Sequence, residues 1–208
     1  MIVVLDYGIG NLRSAEKALE FLGADVRLIT TAEEARGATG VVLPGVGNYG
    51  ACARALKASG LDRVAREAIE DEVPFLGICV GYQLLFEGSD ESPDDAGLNV
   101  FEGRVERLAC DLKLPQIQWN QVRREWVGRM LPKGGVDPWF YFVHSYAPVP
   151  EGSTEAATVG TADYGVRFAA AVETERVWGV QFHPEKSGAP GLALLGRFVD
   201  RCSAGPES

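Results

Sequence analysis

The chain has 208 residues, 46% of them hydrophobic and 24% charged, which suits one soluble domain able to bury a full core. Its formal net charge of −9 argues against a nucleic-acid partner, since phosphate binding needs clustered Lys and Arg. No run approaches the roughly 18 apolar residues a membrane span needs, and the first residues lead straight into Ile2–Leu5 without a basic leader, so a cytoplasmic location is expected.

The first half alternates strand and helix signals. Ile2–Leu5 is predicted as a strand, running into Asp6-Tyr7-Gly8-Ile9-Gly10. Ala15, Ala18, Leu19 and Leu22 recur at helical spacing until Gly23 stops them. Val26–Ile29 and Val41–Leu43 are the next strands, the latter ending in Pro44-Gly45-Val46-Gly47. One helical stretch carries Leu56, Val64, Ala68 and Ile69 on its apolar face. A fourth strand, Val73–Leu76, leads into Gly77-Ile78-Cys79-Val80-Gly81 and a helix expected over Val80–Phe86. Short apolar runs separated by helices predict an α/β fold: an open, mostly parallel central sheet with helices on both faces.

The second half changes character. The segment from Gly88 to Gly97 is acidic and reads as a loop, and Val100–Leu108 alternates like an exposed strand. Trp119–Val122, Trp139–Tyr146 and Phe168–Phe182 are aromatic or β-branched and are expected as antiparallel additions to the same sheet. Pro190–Arg201 closes the chain as a helix with Leu192, Leu195, Phe198 and Val199 on one face. Residues 1–202 are therefore assigned to one domain and 203–208 to a disordered tail.

Chemistry concentrates at Cys79. A cysteine flanked two residues away by glycines, between a strand and a helix, has the form of a nucleophile elbow, a sharp turn that pushes one reactive side chain into solvent. A helix N-terminus behind it would favour the thiolate. Cys52, Cys110 and Cys202 form no CxxC pair and read as structural or incidental thiols, and with only two histidines no metal site is expected. His183 ends an apolar strand in Gln181-Phe182-His183-Pro184-Glu185. In an extended chain residues i and i+2 project together, so Glu185 would orient the imidazole. His144 reads as a strand histidine with an ordinary hydrogen bond, although a substrate-facing role for His144–Tyr146 stays open.

Two glycine loops follow strands. Gly8-Ile9-Gly10 lacks the third glycine of a dinucleotide fingerprint, Arg13 standing there instead, so a nucleotide cofactor is not expected. Gly45-Val46-Gly47 suits an oxyanion hole, with the Val80 amide as the second donor. A Cys/His hydrolase of peptides or small esters and a noncatalytic regulatory subunit remain alternatives on these residues.

Taken in order, Asp6-Tyr7-Gly8-Ile9-Gly10-Asn11-Leu12, Pro44–Gly47, Gly77-Ile78-Cys79-Val80-Gly81-Tyr82-Gln83, Trp119-Asn120, Tyr141–Tyr146 and His183-Pro184-Glu185-Lys186-Ser187 resemble class I, triad-type glutamine amidotransferases. The likeness is strongest to the branch that serves as glutaminase subunit beside a (βα)8-barrel cyclase, or synthase, in histidine biosynthesis. It implies Cys79 as nucleophile, His183 as acid and base, and Glu185 as its orienter, with no cofactor. It further implies that Gln83 and Gly45–Gly47 hold L-glutamine, with Ser145 and Tyr146 nearby. Asn11, Trp119, Asn120 and Lys186 would face the barrel subunit of a heterodimer or gate ammonia. Gln118, Val80, Tyr82 and Asn48-Tyr49 depart from the commoner residues of that branch.

Overall fold

The computed structural model describes residues 1–125, 128–131 and 135–204. In chain order the first half forms β1 (Ile2–Leu5), α1 (Leu12–Phe21), β2 (Val26–Ile29), β3 (Gly40–Gly45), α2 (Tyr49–Ser59), α3 (Leu61–Glu70), β4 (Phe75–Cys79) and α4 (Val80–Gln83). The second half adds β5 (Gly88–Ser89), β6 (Ser92–Ala96), β7 (Gly103–Arg107), β8 (Gln116–Gln121), β9 (Arg123–Arg124), β10 (Trp139–His144) and β11 (Tyr146–Pro150). It closes with α5 (Gly152–Ala156), β12 (Thr158–Asp163), β13 (Arg167–Glu173), β14 (Val177–Val180) and α6 (Gly188–Ser203).

The main sheet has the order β2-β1-β3-β4-β14-β13-β12-β9. It is parallel from β2 to β14 and antiparallel beyond. Every residue of β1, β3, β4 and β14 is buried, so these strands are covered on both faces, as their continuous apolar runs require. α1 packs on α6 and α2 on α3. The periodic Ala15 and Leu19 of α1 are buried as their spacing predicts.

Several sequence expectations need correction. The single helical stretch is split at Gly60, whose φ of +76° forms a left-handed stop between α2 and α3. The helix expected over Val80–Phe86 is one turn. After it the amides of Leu85 and Phe86 turn to the carbonyls three residues back, those of Tyr82 and Gln83, and the carbonyls of Leu84, Leu85 and Phe86 accept the amides of Leu98, Val100, Phe101 and Asn99. The acidic segment read as a loop forms the β5–β6 hairpin. Thr158–Asp163, where no element was expected, is a mostly buried strand of the main sheet. The aromatic segments also do not all join one sheet. β8 and β10 pair as a separate two-stranded ribbon, and β11, β7, β5 and β6 form a third sheet. Alternation reveals that a segment is a strand, not which strand it will pair with. The ribbon is anchored by its inward residues: Phe140 stacks on Phe182 at 3.9 Å between ring centroids, and Phe142 meets Phe168 and Phe182 edge-on. At the C-terminus α6 runs through Ser203, and residues 205–208 of the expected tail lie outside the described residues.

Glycines at the carboxyl edge of the sheet let backbone meet backbone. A Cβ at Gly45 would lie 2.8 Å from the Gly81 nitrogen, and one at Gly77 2.9 Å from the Gly81 oxygen. A Cβ at Gly81 would overlap the Leu43 carbonyl, and one at Gly179 the ring of Tyr82. Gly8 differs, since its φ is +83° but its surroundings are open. Gly81→Ala is therefore expected to destabilise the fold by about 3 kcal/mol, at the upper end for overpacking a closed site. Gly8→Ala should cost only about 1 kcal/mol, the penalty of a left-handed backbone. Urea midpoints of the two variants measure the difference.

Candidate active site

β4 and β14 are parallel neighbours in register, Val180 beside Ile78, so the residues that follow each strand emerge side by side. Cys79 is the last residue of β4 and His183 lies just beyond β14. The turn at Cys79 is strained, with φ +54° and ψ −113°, a conformation that costs a non-glycine residue on the order of 1–3 kcal/mol. The elbow is therefore present, but its thiol does not project into solvent: Cys79 is 3% exposed. The helix behind it is only four residues long.

His183 and Glu185 come together for a different reason than strand alternation. The chain leaves the strand at His183 and turns through a 3-10 segment, Pro184–Lys186, that folds the carboxylate back under the ring. Nδ1 of His183 is 2.8 Å from Oε1 of Glu185, and both side chains are 2% exposed. Asn11 Nδ2 donates to the same oxygen at 3.2 Å. The backbone is fixed as well: His183 N donates to the Tyr141 carbonyl at 2.9 Å, and the Ser187 hydroxyl donates to the His183 carbonyl at 2.6 Å. Burial alone would depress the imidazole pKa, but Cys79 and Glu185 together outweigh it and raise it to about 10. Nε2 has no other hydrogen-bond partner among the described residues, and of the two groups that raise the ring's pKa Cys79 acts more strongly than Glu185. The result is a protonated, carboxylate-oriented imidazole beside a cysteine at neutral pH.

His144 is the opposite case. It is buried against Phe142 and Phe168, and burial, partly offset by its hydrogen bond to the Tyr146 carbonyl and reinforced by the charge of His183, lowers its pKa to about 4. It stays neutral, in keeping with an ordinary strand histidine.

A cleft of about 280 Å³ opens onto these groups. Val46, Gly47, Cys79, Val80, Gln83, Ser145, Tyr146 and His183 all line it, with Glu91, Pro115, Val143 and His144. Gly45 stands behind, paired with Cys79 in the sheet. The larger cleft of about 570 Å³ lies between β7, β11, β12 and β13 and is lined by no cysteine or histidine, so the smaller one carries the chemistry. The Gly45–Gly47 loop is clamped on both sides. Tyr7 Oη donates to the Pro44 carbonyl at 2.6 Å, and the Cys52 thiol, its pKa raised by burial, donates to the Val46 carbonyl at 3.3 Å. Cys52, read from the sequence as a structural or incidental thiol, is thus structural.

Glu91 in the cleft and the buried Gln181 beside Cys79 had no sequence signal strong enough to find them. Glu91 sits in the acidic hairpin, where one carboxylate looks like its neighbours; here its Oε2 accepts the Tyr49 amide at 2.7 Å. Gln181 is a polar residue inside an apolar run, and its Nε2 lies 3.8 Å from the Cys79 sulfur. The residues assigned to a partner face divide. Trp119 is exposed and meets Tyr141 edge-on, and Lys186 lies over the Tyr141 ring at 5.9 Å. Asn11 is spent on Glu185, and the Asn120 side chain on the Asp163 carbonyl.

The sequence model for class I glutamine amidotransferases matches residues 3–202. This chain belongs to that family. It is 46% identical over 200 residues to the imidazole glycerol phosphate synthase subunit HisH of Moorella thermoacetica, covering 95% of this chain and 93% of the relative. It is 40% identical to the protein of the same name from Methanopyrus kandleri, covering 97% and 98%. A solved structure named as a glutamine amidotransferase superposes with a TM-score of 0.74 at 22% identity, covering 97% of this chain and 98% of that one, which shows the shared fold. Among the described residues no His, Cys, Asp and Glu group could hold a metal, and no helix is long and apolar enough to cross a membrane.

The two histidines of the amidotransferase pull stability in opposite directions with pH. His183 is raised in the folded state, so its contribution is complete below about 6.5, the ordinary value, and is lost as pH rises toward about 10. His144 is lowered, so its contribution is complete above about 6.5 and is lost as pH falls toward about 4. Denaturant midpoints taken across pH should peak near neutrality. His183→Gln should flatten the alkaline limb and His144→Asn the acid limb.

Proposed function

We propose that this amidotransferase is the glutaminase subunit of an imidazole glycerol phosphate synthase, working in the cytoplasm. It hydrolyses glutamine to glutamate and passes ammonia to a synthase subunit that makes imidazole glycerol phosphate and AICAR in histidine biosynthesis. The observation that carries the reading is that Cys79 and His183 line one cleft, with Glu185 bonded to Nδ1 of the imidazole behind it. The HisH names of relatives at 40–46% identity support the pathway assignment.

In this mechanism the Cys79 sulfur attacks the carboxamide carbon of glutamine, and the carbonyl π electrons move to oxygen. The backbone amides of Val80 and the Gly45–Gly47 loop hold that oxyanion. His183, already protonated, gives its proton to the departing nitrogen, and ammonia leaves a thioester. The neutral imidazole then takes a proton from water, hydroxide adds to the thioester, and sulfur departs as glutamate is released. Glu185, with Asn11 behind it, keeps Nδ1 of the ring bonded so that Nε2 faces the reaction. The α-ammonium of glutamine calls for a carboxylate in the cleft, and Glu91 lines it. Glu91→Gln should therefore raise KM for glutamine about tenfold or more with little change in kcat, as steady-state kinetics would show.

The partner is a (βα)8-barrel subunit. Its docking face is the outer side of the β8–β10 ribbon, where Ile117, Trp119 and Trp139 are exposed and Lys186 lies over Tyr141. Such an apolar patch with an aromatic and cationic centre fits an interface core. Docking also has a route to the oxyanion loop. Tyr7 and Cys52 hold the Pro44 and Val46 carbonyls, leaving the Gly45–Val46 peptide as the part of the loop that neither side chain clamps. Turning that peptide would supply or remove one oxyanion donor, worth about 10²–10³ in rate.

In the complex, Cys79→Ala should abolish synthesis from glutamine and spare synthesis from ammonium. Loss of both would refute a separable ammonia-donor role. Glutaminase turnover of the isolated subunit should fall well below that of the complex, and equal rates would remove the loop from regulation.

A further inference from the structure

Gln181 is fully buried and has no part in the mechanism above. It follows Val180, which is in register with Ile78, so the strand geometry sets it beside Cys79. Its Nε2 is 3.8 Å from the sulfur and its Oε1 is 3.0 Å from Gln83 Nε2. The same Gln83 nitrogen is 3.0 Å from the Tyr146 main-chain oxygen.

The direction of this chain follows from chemistry. Side-chain amides have the same outline with nitrogen and oxygen exchanged, so their neighbours must decide which way round they sit. A peptide carbonyl only accepts, so Tyr146 fixes the NH2 of Gln83 toward itself. The second hydrogen of that NH2 needs another acceptor, which Gln181 Oε1 provides. The NH2 of Gln181 is then left against the sulfur. Turning Gln83 over would set oxygen against oxygen twice, and turning Gln181 over would set two NH2 groups face to face. An N–H aimed at sulfur is satisfied best by a thiolate, which accepts and does not donate.

We propose that Gln181 is a further catalytic residue: its side-chain N–H donates to the Cys79 sulfur and holds it as thiolate, with the direction of donation imposed through Gln83 by the Tyr146 carbonyl. His183 supplies the charge on one side of the sulfur and Gln181 a neutral donor on another. When sulfur bonds to carbon its negative charge passes to the carbonyl oxygen, and the donor loosens. When sulfur departs at the end of deacylation the charge returns and the same N–H receives it. The wall formed by Gln83 and Tyr146 thus also sets the electrostatics of the nucleophile. The inference rests on Cys79 being the nucleophile.

The test uses the complex with its synthase subunit and the variants Gln181→Met and Gln181→Asn. Met removes the donor at similar length. Asn keeps a buried amide but withdraws it from the sulfur, and it serves where the Met variant does not fold. Iodoacetamide alkylation of Cys79, resolved from Cys52, Cys110 and Cys202 by peptide mass spectrometry, is followed against pH. Alkylation near neutral pH should slow at least about tenfold, the scale of one hydrogen bond to a charged group, and recover in alkali. Glutaminase kcat should fall in step, with KM little changed. A folded variant whose alkylation profile matches the parent, or is slowed equally at every pH, overturns the proposal, because a purely structural glutamine would do either. Cys79→Ala separates the two levels. If glutamine-dependent synthesis survives it, the nucleophile reading fails whatever Gln181 does. If that activity is lost while the alkylation profiles stay unchanged, Gln181 alone is removed.

Discussion

The site depends on backbone-to-backbone contact at the carboxyl ends of β3 and β4. Cys79 adopts a positive φ that a side chain resists, and nothing in its own chemistry would keep it there. The turn is held because β3 and α4 approach so closely that Gly45, Gly77 and Gly81 have no room for a Cβ. Gly179 on β14 adds the same constraint from the other side, admitting the ring of Tyr82 beneath the elbow. Packing at this density transmits the cost of any displacement to several strands at once. The strain at Cys79 is therefore opposed by the burial of the whole sheet edge rather than by one local bond.

Around that fixed sulfur the polar groups are enclosed and paired. Two charged partners, His183 and Glu185, are taken out of water together; Nδ1 of the ring and Asn11 Nδ2 both bond Oε1 of the carboxylate, while Nε2 of His183 and Oε2 of Glu185 have no partner among the described residues. The same burial, acting on His144 without a carboxylate, leaves that ring neutral. Two imidazoles in one small cleft thus carry opposite charge states, and the difference lies in what stands behind each.

Much of this was legible in the sequence, for identifiable reasons. The parallel half could be read because each strand is short, apolar and bounded by glycine, and because Cys79 sits between glycines whose spacing has few other uses. His183 and Glu185 were found through their spacing, although the extended-chain argument for it was wrong: a 3-10 turn makes the contact. The ribbon and third sheet were not legible, because alternation in Trp139–Tyr146 fixes which faces are inward but carries no information about the partner strand. Glu91 was hidden among acidic neighbours, and Gln181 by the apolar run around it. Asn11 and Asn120 were read as interface or ammonia-gate positions; in the fold the Asn11 amide bonds Glu185 and the Asn120 amide bonds the Asp163 carbonyl, contacts that join residues far apart in the chain and that local spacing cannot reveal.

The ribbon, missed as a separate sheet, is also what joins the outer face to the chemistry. Tyr141 presents its ring to Trp119 and Lys186 on the outside. Its own carbonyl accepts the His183 amide, and its amide donates to the Ser187 hydroxyl, which in turn donates to the His183 carbonyl. One residue thus ties both backbone groups of the catalytic-site histidine to an exposed aromatic cluster. A partner that shifted the ribbon by a few tenths of an ångström would act first on His183, not on Cys79, because the elbow is closed by glycine contacts with no slack. Docking would therefore be felt through the imidazole and the unclamped Gly45–Val46 peptide, while the nucleophile stays where the sheet has set it.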